Sequence, residues 1–334
     1  MKPSSLSISF LVLILLNSMI TACKKNGDAG TDQPTAPVVN NPVTKPPLTD
    51  LGAAYWRNYQ GGLYPNGSNT RPAAHNAAGL QLASQVKPLD ATGNSDPVNG
   101  KIVWLSIGMS NTTQETSAFI PLAEALANKN PKLILVDGAQ GSQDLDIINN
   151  PNAAFWTIIT QRLTAKGVTA KQVQAIWFKQ ADRSFPDTSF SGYTNNFKNK
   201  LKIAMGILNS KFSNARLCYI SSRIYAGYQT GSGSNPEPYA YYTGWAVKQL
   251  IEEQANGDVS LAYSGSNPKS PWLSWGPYIW ADGANPRADG LKWIFPDDYQ
   301  ADGIHPSIAG RQKVADKLLQ FFTTDVTSTP WFIK

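Results

Sequence analysis

Between residues 101 and 254 the chain repeats one pattern four times. A short apolar run rich in β-branched and aromatic residues is followed by a turn of small and polar residues, then by a helical stretch. The runs are 101–107 (KIVWLSI), 132–136 (KLILV), 173–178 (VQAIWF) and 216–221 (RLCYIS). Runs of this length bounded by turn signals read as strands buried on both faces. The pattern predicts helices over 114–128, 153–166, 193–211 and 239–254, a short fifth strand around 259–263, and a last helix over 308–322. Strands that alternate with helices imply an α/β fold with a parallel sheet and helices on both sides. Residues 51–100 are rich in Gly, Pro, Asn and Ala and read as a lead-in that wraps the domain. Residues 227–238 read as a loop, and 264–300 as a long insertion full of Pro, Gly and Trp. Beyond this alternation of strand and helix no stretch of sequence recurs as an internal repeat.

The chain opens with Lys2, an apolar run from Leu6 to Leu16, and then Ile20-Thr21-Ala22-Cys23. A short positive region, an apolar core and a small-residue cleavage site describe a secretory signal peptide. The run is shorter than the roughly 18 apolar residues that a membrane span takes. A cysteine directly after small residues resembles the lipobox of bacterial lipoproteins. That resemblance implies cleavage before Cys23 and acylation of its thiol and amino group. Residues 1–22 are thus expected to be a signal peptide, and 23–50 a lipidated, proline-rich tether. The tether carries Pro34, Pro37, Pro42, Pro46 and Pro47 and no aromatic residue, too little apolar surface to offset the entropy of ordering. The domain is expected to span 51–334, exported and anchored at the cell envelope through Cys23, on the outer membrane or cell surface, facing the periplasm or the exterior. Cys218 is then the domain's only thiol, a core residue with no disulfide. The formal charge of +6 is spread without a Lys/Arg block, and for an exported protein it does not indicate a nucleic-acid partner.

The chain has two histidines, His75 and His305. Imidazole is the side chain suited to proton transfer near neutrality. His305 lies in Asp302-Gly303-Ile304-His305-Pro306-Ser307, where an aspartate three residues earlier can fix the ring tautomer and stabilise its cation. His75, in Arg71-Pro72-Ala73-Ala74-His75, reads as a structural or surface residue, with a substrate contact as the alternative. A hydroxyl nucleophile needs such a base within reach, and donors aimed at the developing oxyanion. Ser110 follows the first strand in Gly108-Met109-Ser110-Asn111, the Gly138–Gly141 turn follows the second, and Gln180 follows the third. In a parallel sheet these loops share the carboxyl edge, where sites form. Ser307 is placed to cap the last helix. Rival motifs fail: there is no second glycine of an α/β-hydrolase elbow after Ser110, no HExxH, no Cys/His cluster and no Walker A pattern. No metal or other cofactor is expected.

These blocks resemble those of the SGNH (GDSL-like) hydrolases. The resemblance spans roughly residues 100–322 and implies a flavodoxin-like three-layer α/β/α sandwich with a parallel sheet of about five strands. Gly108-Met109-Ser110 matches the nucleophile block, which implies Ser110 as nucleophile and its N–H as an oxyanion donor. Gly138-Ala139-Gln140-Gly141 matches the second block, with Gly141 as donor, and Asp302 with His305 matches the Asp-x-x-His block. Two positions depart from the family. Met109 replaces the acidic residue beside the serine, and Ala181 falls where the family has an oxyanion asparagine. Trp177-Phe178-Lys179-Gln180-Ala181-Asp182 is similar to the Trp-x-Gln-Gly-Glu-like block of the carbohydrate-esterase branch, which implies Gln180 as the replacement donor.

Asn111 is a further candidate donor at the site. Asp182 and Arg183 are expected to pair with each other, with contact to substrate as the alternative. Trp272, Trp275, Tyr278, Trp280 and Trp293 crowd the 264–300 insertion, and flat aromatic faces suit sugar rings. Trp275, Trp280 and Arg287 are therefore substrate-binding candidates. The expected activity is a Ser-His-Asp esterase that deacetylates a carbohydrate or polysaccharide. A non-catalytic glycan-binding protein on the same scaffold, and a lipid or thioester hydrolase, are the alternatives.

Overall fold

The computed structural model describes residues 45–183, 186–230 and 235–334. The expected signal peptide, Cys23 and most of the expected tether lie outside the described residues.

Five strands form one parallel sheet: β1 (Ile102–Gly108), β2 (Leu133–Asp137), β3 (Val173–Lys179), β4 (Leu217–Ile220) and β5 (Trp272–Trp275). Their spatial order is β2-β1-β3-β4-β5, the doubly wound order of flavodoxin-like folds. Every residue of β1 and β3 is buried. Continuous burial is why these strands read as unbroken apolar runs and not as alternations. Among the described residues six longer helices accompany them: α1 (Ala73–Ser84), α2 (Ser110–Glu124), α3 (Ala154–Ala165), α4 (Phe190–Lys211), α5 (Tyr239–Ala255) and α6 (Ile308–Thr324). α2 packs with α6, and α4 with α5, giving helix layers over the sheet in a three-layer α/β/α sandwich.

Three expectations are corrected. The segment around 259–263 is not a strand; Val259–Leu261 is one 3-10 turn, capped by the Asp258 carboxylate on the Ser260 N–H. The fifth strand is Trp272–Trp275, inside the stretch read as an insertion. The domain also takes in residues read as the end of the tether. Leu48 is fully buried, and the Tyr241 hydroxyl donates to the Pro46 carbonyl at 2.7 Å. His75 is structural, as expected: it is buried, stacks on Trp272 at 4.9 Å, and its Nε2 lies 2.7 Å from the Leu273 carbonyl oxygen. Burial pushes its pKa below the usual histidine range.

Candidate active site

The position of Ser110 is set where β1 hands over to α2. A Cβ on Gly108 would come within 2.2 Å of Thr112 Oγ1 and 2.3 Å of the Lys179 carbonyl oxygen, so only glycine lets the strand end this close to its neighbours. Met109 is extended, and the helix begins at Ser110 itself, four residues earlier than the sequence pattern suggested. As the first residue of a helix, Ser110 offers one of the four N–H groups that have no intrahelical acceptor, at the positive end of the helix dipole. The next three side chains tie this turn to the segment before α6, the end of β3 and the turn after β2. Asn111 Nδ2 donates to the Ile304 carbonyl (3.0 Å), Thr112 Oγ1 to that of Lys179 (3.0 Å), and Thr113 Oγ1 to that of Ala139 (2.6 Å). The sequence reading missed this use of the Asn-Thr-Thr triplet. Its signal was three hydrogen-bonding side chains in a row at the start of a buried helix.

The loop before α6 presents Asp302 and His305. Gly303 has φ +64°, and a Cβ there would lie 2.0 Å from the Tyr228 carbonyl oxygen; conformation and space both demand glycine. The tight turn aims Asp302 back along its own loop. One carboxylate oxygen accepts the N–H groups of Ile304 and His305, each at 2.9 Å, and the other lies 2.6 Å from His305 Nδ1. Burial would raise the Asp302 pKa, but the bonds from the His305 ring and from these N–H groups outweigh it and hold the carboxyl below its usual range. An ionised carboxylate on Nδ1 selects the tautomer with the proton there, so Nε2 can accept. His305 Nε2 lies 2.9 Å from Ser110 Oγ. Ser307 caps α6, its Oγ accepting the Gly310 N–H at 3.1 Å.

The glycine turn after β2 lies beside Ser110: a Cβ on the exposed Gly141 would sit 3.8 Å from the Ser110 Cβ. The turn is held from behind. Gln140 N–H donates to the Gly108 carbonyl (3.0 Å), and Arg162 donates to the carbonyls of Asp137 (2.9 Å) and Ala139 (2.7 Å). Gln180 was expected to aim its amide at an oxyanion. Instead it is 4% exposed, and its Nε2 donates to the Gln143 carbonyl at 3.0 Å. It braces the glycine turn against the end of β3. Asn111, expected as a substrate donor, is likewise buried and committed to Ile304. Asp182 does not pair with Arg183, which is exposed; it lies 2.9 Å from Lys200, and burial raises its pKa to about 6.

The aromatic residues of the 264–300 segment do not form a sugar-stacking face. Trp272, Trp275, Tyr278, Trp280 and Trp293 are all buried. Trp275 Nε1 donates to the Leu63 carbonyl (2.6 Å) and Trp280 Nε1 to the Glu237 carboxylate (2.8 Å). Arg287 grips Asp289 through Nε and Nη2 (3.0 and 2.6 Å), and its Nη1 donates to the Tyr278 carbonyl at 2.6 Å. These candidates fail because the segment is the edge strand and its cover, and needs its rings for its own core. Among the described residues no group of three or more His, Cys, Asp or Glu side chains is placed to hold a metal ion. No helix among them is long and apolar enough to cross a membrane.

No family model matches the chain, and no curated protein matches its sequence. Solved structures do match it at low identity. A carbohydrate esterase family 3 protein from Talaromyces cellulolyticus is 12% identical, with a TM-score of 0.37, over 65% of this chain and 94% of its own. A candidate acylhydrolase from Bacteroides fragilis is 12% identical, with a TM-score of 0.37, over 78% of this chain and 100% of its own. A candidate GDSL-like lipase from Parabacteroides merdae is 14% identical, with a TM-score of 0.38, over 66% of this chain and 94% of its own.

Proposed function

We propose that this chain is a serine esterase of the SGNH type. The observation that carries the reading is the continuous line of hydrogen bonds from Asp302 through His305 to Ser110, at 2.6 and 2.9 Å. In this reading Ser110 Oγ attacks the ester carbonyl carbon while His305 Nε2 takes its proton. The N–H groups of Ser110 and Gly141 receive the oxyanion. The tetrahedral intermediate collapses, and His305 returns the proton to the leaving alkoxide. Water, deprotonated by the same nitrogen, then attacks the acyl-enzyme, and the acid leaves as Ser110 regains its proton. Asp302 stays ionised throughout and stabilises the imidazolium. Gln180 serves by holding the Gly141 turn.

For the substrate, we propose an O-acetylated carbohydrate. Support comes from the Trp177–Asp182 block and its likeness to the carbohydrate-esterase pattern. We further propose that the protein is exported and held at the membrane by lipid on Cys23, which incorporation of a labelled fatty acid, lost in Cys23→Ala, would test.

Intact mass after treatment with a fluorophosphonate tests the activity. Labelling of the parent and none of Ser110→Ala is the expected result, with hydrolysis of p-nitrophenyl acetate falling at least ~10³-fold in the variant. A folded parent that takes no label would overturn the esterase reading. Acetate release from a panel of acetylated glycans then tests the substrate class.

A further inference from the structure

We propose that Asn111 is a positioning residue: its hydrogen bond to the Ile304 carbonyl keeps the loop that carries His305 at working distance from Ser110. The inference rests on the esterase reading. Ser110–His305 (2.9 Å) and Asn111–Ile304 (3.0 Å) are adjacent bonds between the same two segments, each one residue from the other. They differ in how long they last. Once Ser110 Oγ is acylated it has no proton to share, and the Ser–His bond is gone until the acyl group leaves. The Asn111 bond uses no reacting atom, so it persists through the acyl-enzyme, when His305 must still be aimed at the incoming water.

The neighbouring contacts assign this task to Asn111. Thr112 and Thr113 fix the same turn of α2 to the ends of β3 and β2. Among the described residues, Asn111 makes the one side-chain hydrogen bond from that turn to the His305 loop besides the Ser110 bond itself. It is buried, so its amide has no ready replacement by water. The accepting carbonyl belongs to the peptide that leads into His305, so any drift of that peptide moves the imidazole directly. A misplacement of about 1 Å at a reacting pair can cost ~10²-fold in rate.

The test uses p-nitrophenyl acetate and a fluorophosphonate on the full chain. In Asn111→Ala we expect kcat to fall roughly 10- to 100-fold with KM little changed, and the rate of fluorophosphonate labelling to fall in parallel. Asn111→Asp adds a readout that a purely structural role would not move. An ionised carboxylate cannot donate to the Ile304 carbonyl, whereas a protonated one can. The ratio of its kcat to the parent's at the same pH should therefore recover as pH falls through the carboxyl's titration. Labelling and turnover at parental rates in Asn111→Ala would overturn the inference while leaving the esterase reading intact. If that variant does not fold, a kcat ratio for Asn111→Asp that is flat with pH overturns it. An unlabelled parent overturns the esterase reading first.

Discussion

Glu115 sits on α2 five residues after Ser110, with its carboxylate oxygens 2.5 and 2.6 Å from Lys179 Nζ at the end of β3. Neither side chain reaches solvent. Burial pushes the Lys179 pKa down to about 8 and raises that of Glu115, each opposed by the partner's charge. Two ions taken out of water together are tolerable, but one left alone is not. Glu115→Ala strands the ammonium, together with the buried Arg223 guanidinium that the same carboxylate faces, and should cost about 3–5 kcal/mol; replacing Glu115 and Lys179 together with apolar side chains of similar volume should recover only part of that, because the Arg223 charge remains. Urea denaturation of the single and double variants checks this. A loss below about 1 kcal/mol in the single variant would mean that Lys179 simply gives up its proton. In sequence this pair was invisible: Lys179 sits in a block whose family likeness drew attention to Gln180, and nothing marks Glu115 as facing inward rather than outward.

At the scale of elements, the handling of the Asp302–His305 turn decides whether the site exists. Gly303→Ala must relieve both a left-handed φ and a 2.0 Å approach to the Tyr228 carbonyl oxygen. The cheapest relief is for the turn to move away from the loop after β4, carrying Asp302 and His305 with it. Esterase activity and fluorophosphonate labelling should then drop at least ~10²-fold while far-UV circular dichroism stays that of the parent. Retained activity would show that the turn has slack. Legibility also divides at this scale. Strands β1 to β4 were readable because burial on both faces leaves an apolar run with turn residues at each end. Asp302 and His305 stood out as candidates because the chain has two histidines; Ser110 was a candidate only through the strand order and the family likeness, because a serine after glycine is ordinarily a turn residue. β5 was not, because Trp272–Trp275 follows Pro271 within a Pro/Gly/Trp-rich stretch, while the apolar residues near Val259 suggested a strand that a 3-10 turn occupies. The same composition suggested exposed sugar-binding aromatics, since composition does not distinguish a ring that stacks on ligand from one that fills a core. The short reach of Gln180 to Gln143 was hidden for a related reason: a side chain's partner depends on where the neighbouring loop runs.

Over the whole molecule, the first described residues lock the segment that leads to the Asp302–His305 loop. The Leu48 N–H donates to the Tyr278 hydroxyl at 3.3 Å, and its carbonyl accepts the Gly62 N–H at 2.8 Å. Asp50 accepts the Ala288 N–H at 2.9 Å, and Arg287 lies over the Tyr278 ring. This arm therefore pins residues 276–290, the cover that follows β5 and runs on to Asp302 and His305. Leu48 is 0% exposed, so its side chain fills volume that nothing else can occupy. Leu48→Ala should cost about 2–5 kcal/mol, the range for a buried leucine whose site collapses only in part. A chain shortened to begin at Lys45 should match the full chain in urea midpoint and in p-nitrophenyl acetate turnover. One shortened to begin at Ala53 should lose at least as much stability as Leu48→Ala, because it also gives up the Pro46–Tyr241, Leu48–Tyr278 and Asp50–Ala288 bonds. It should lose turnover before global unfolding, because the strap it frees is continuous with the turn that holds His305. If the Ala53 variant keeps the parent's midpoint, the arm is an ornament on the domain, and the domain's limit lies near residue 51 after all.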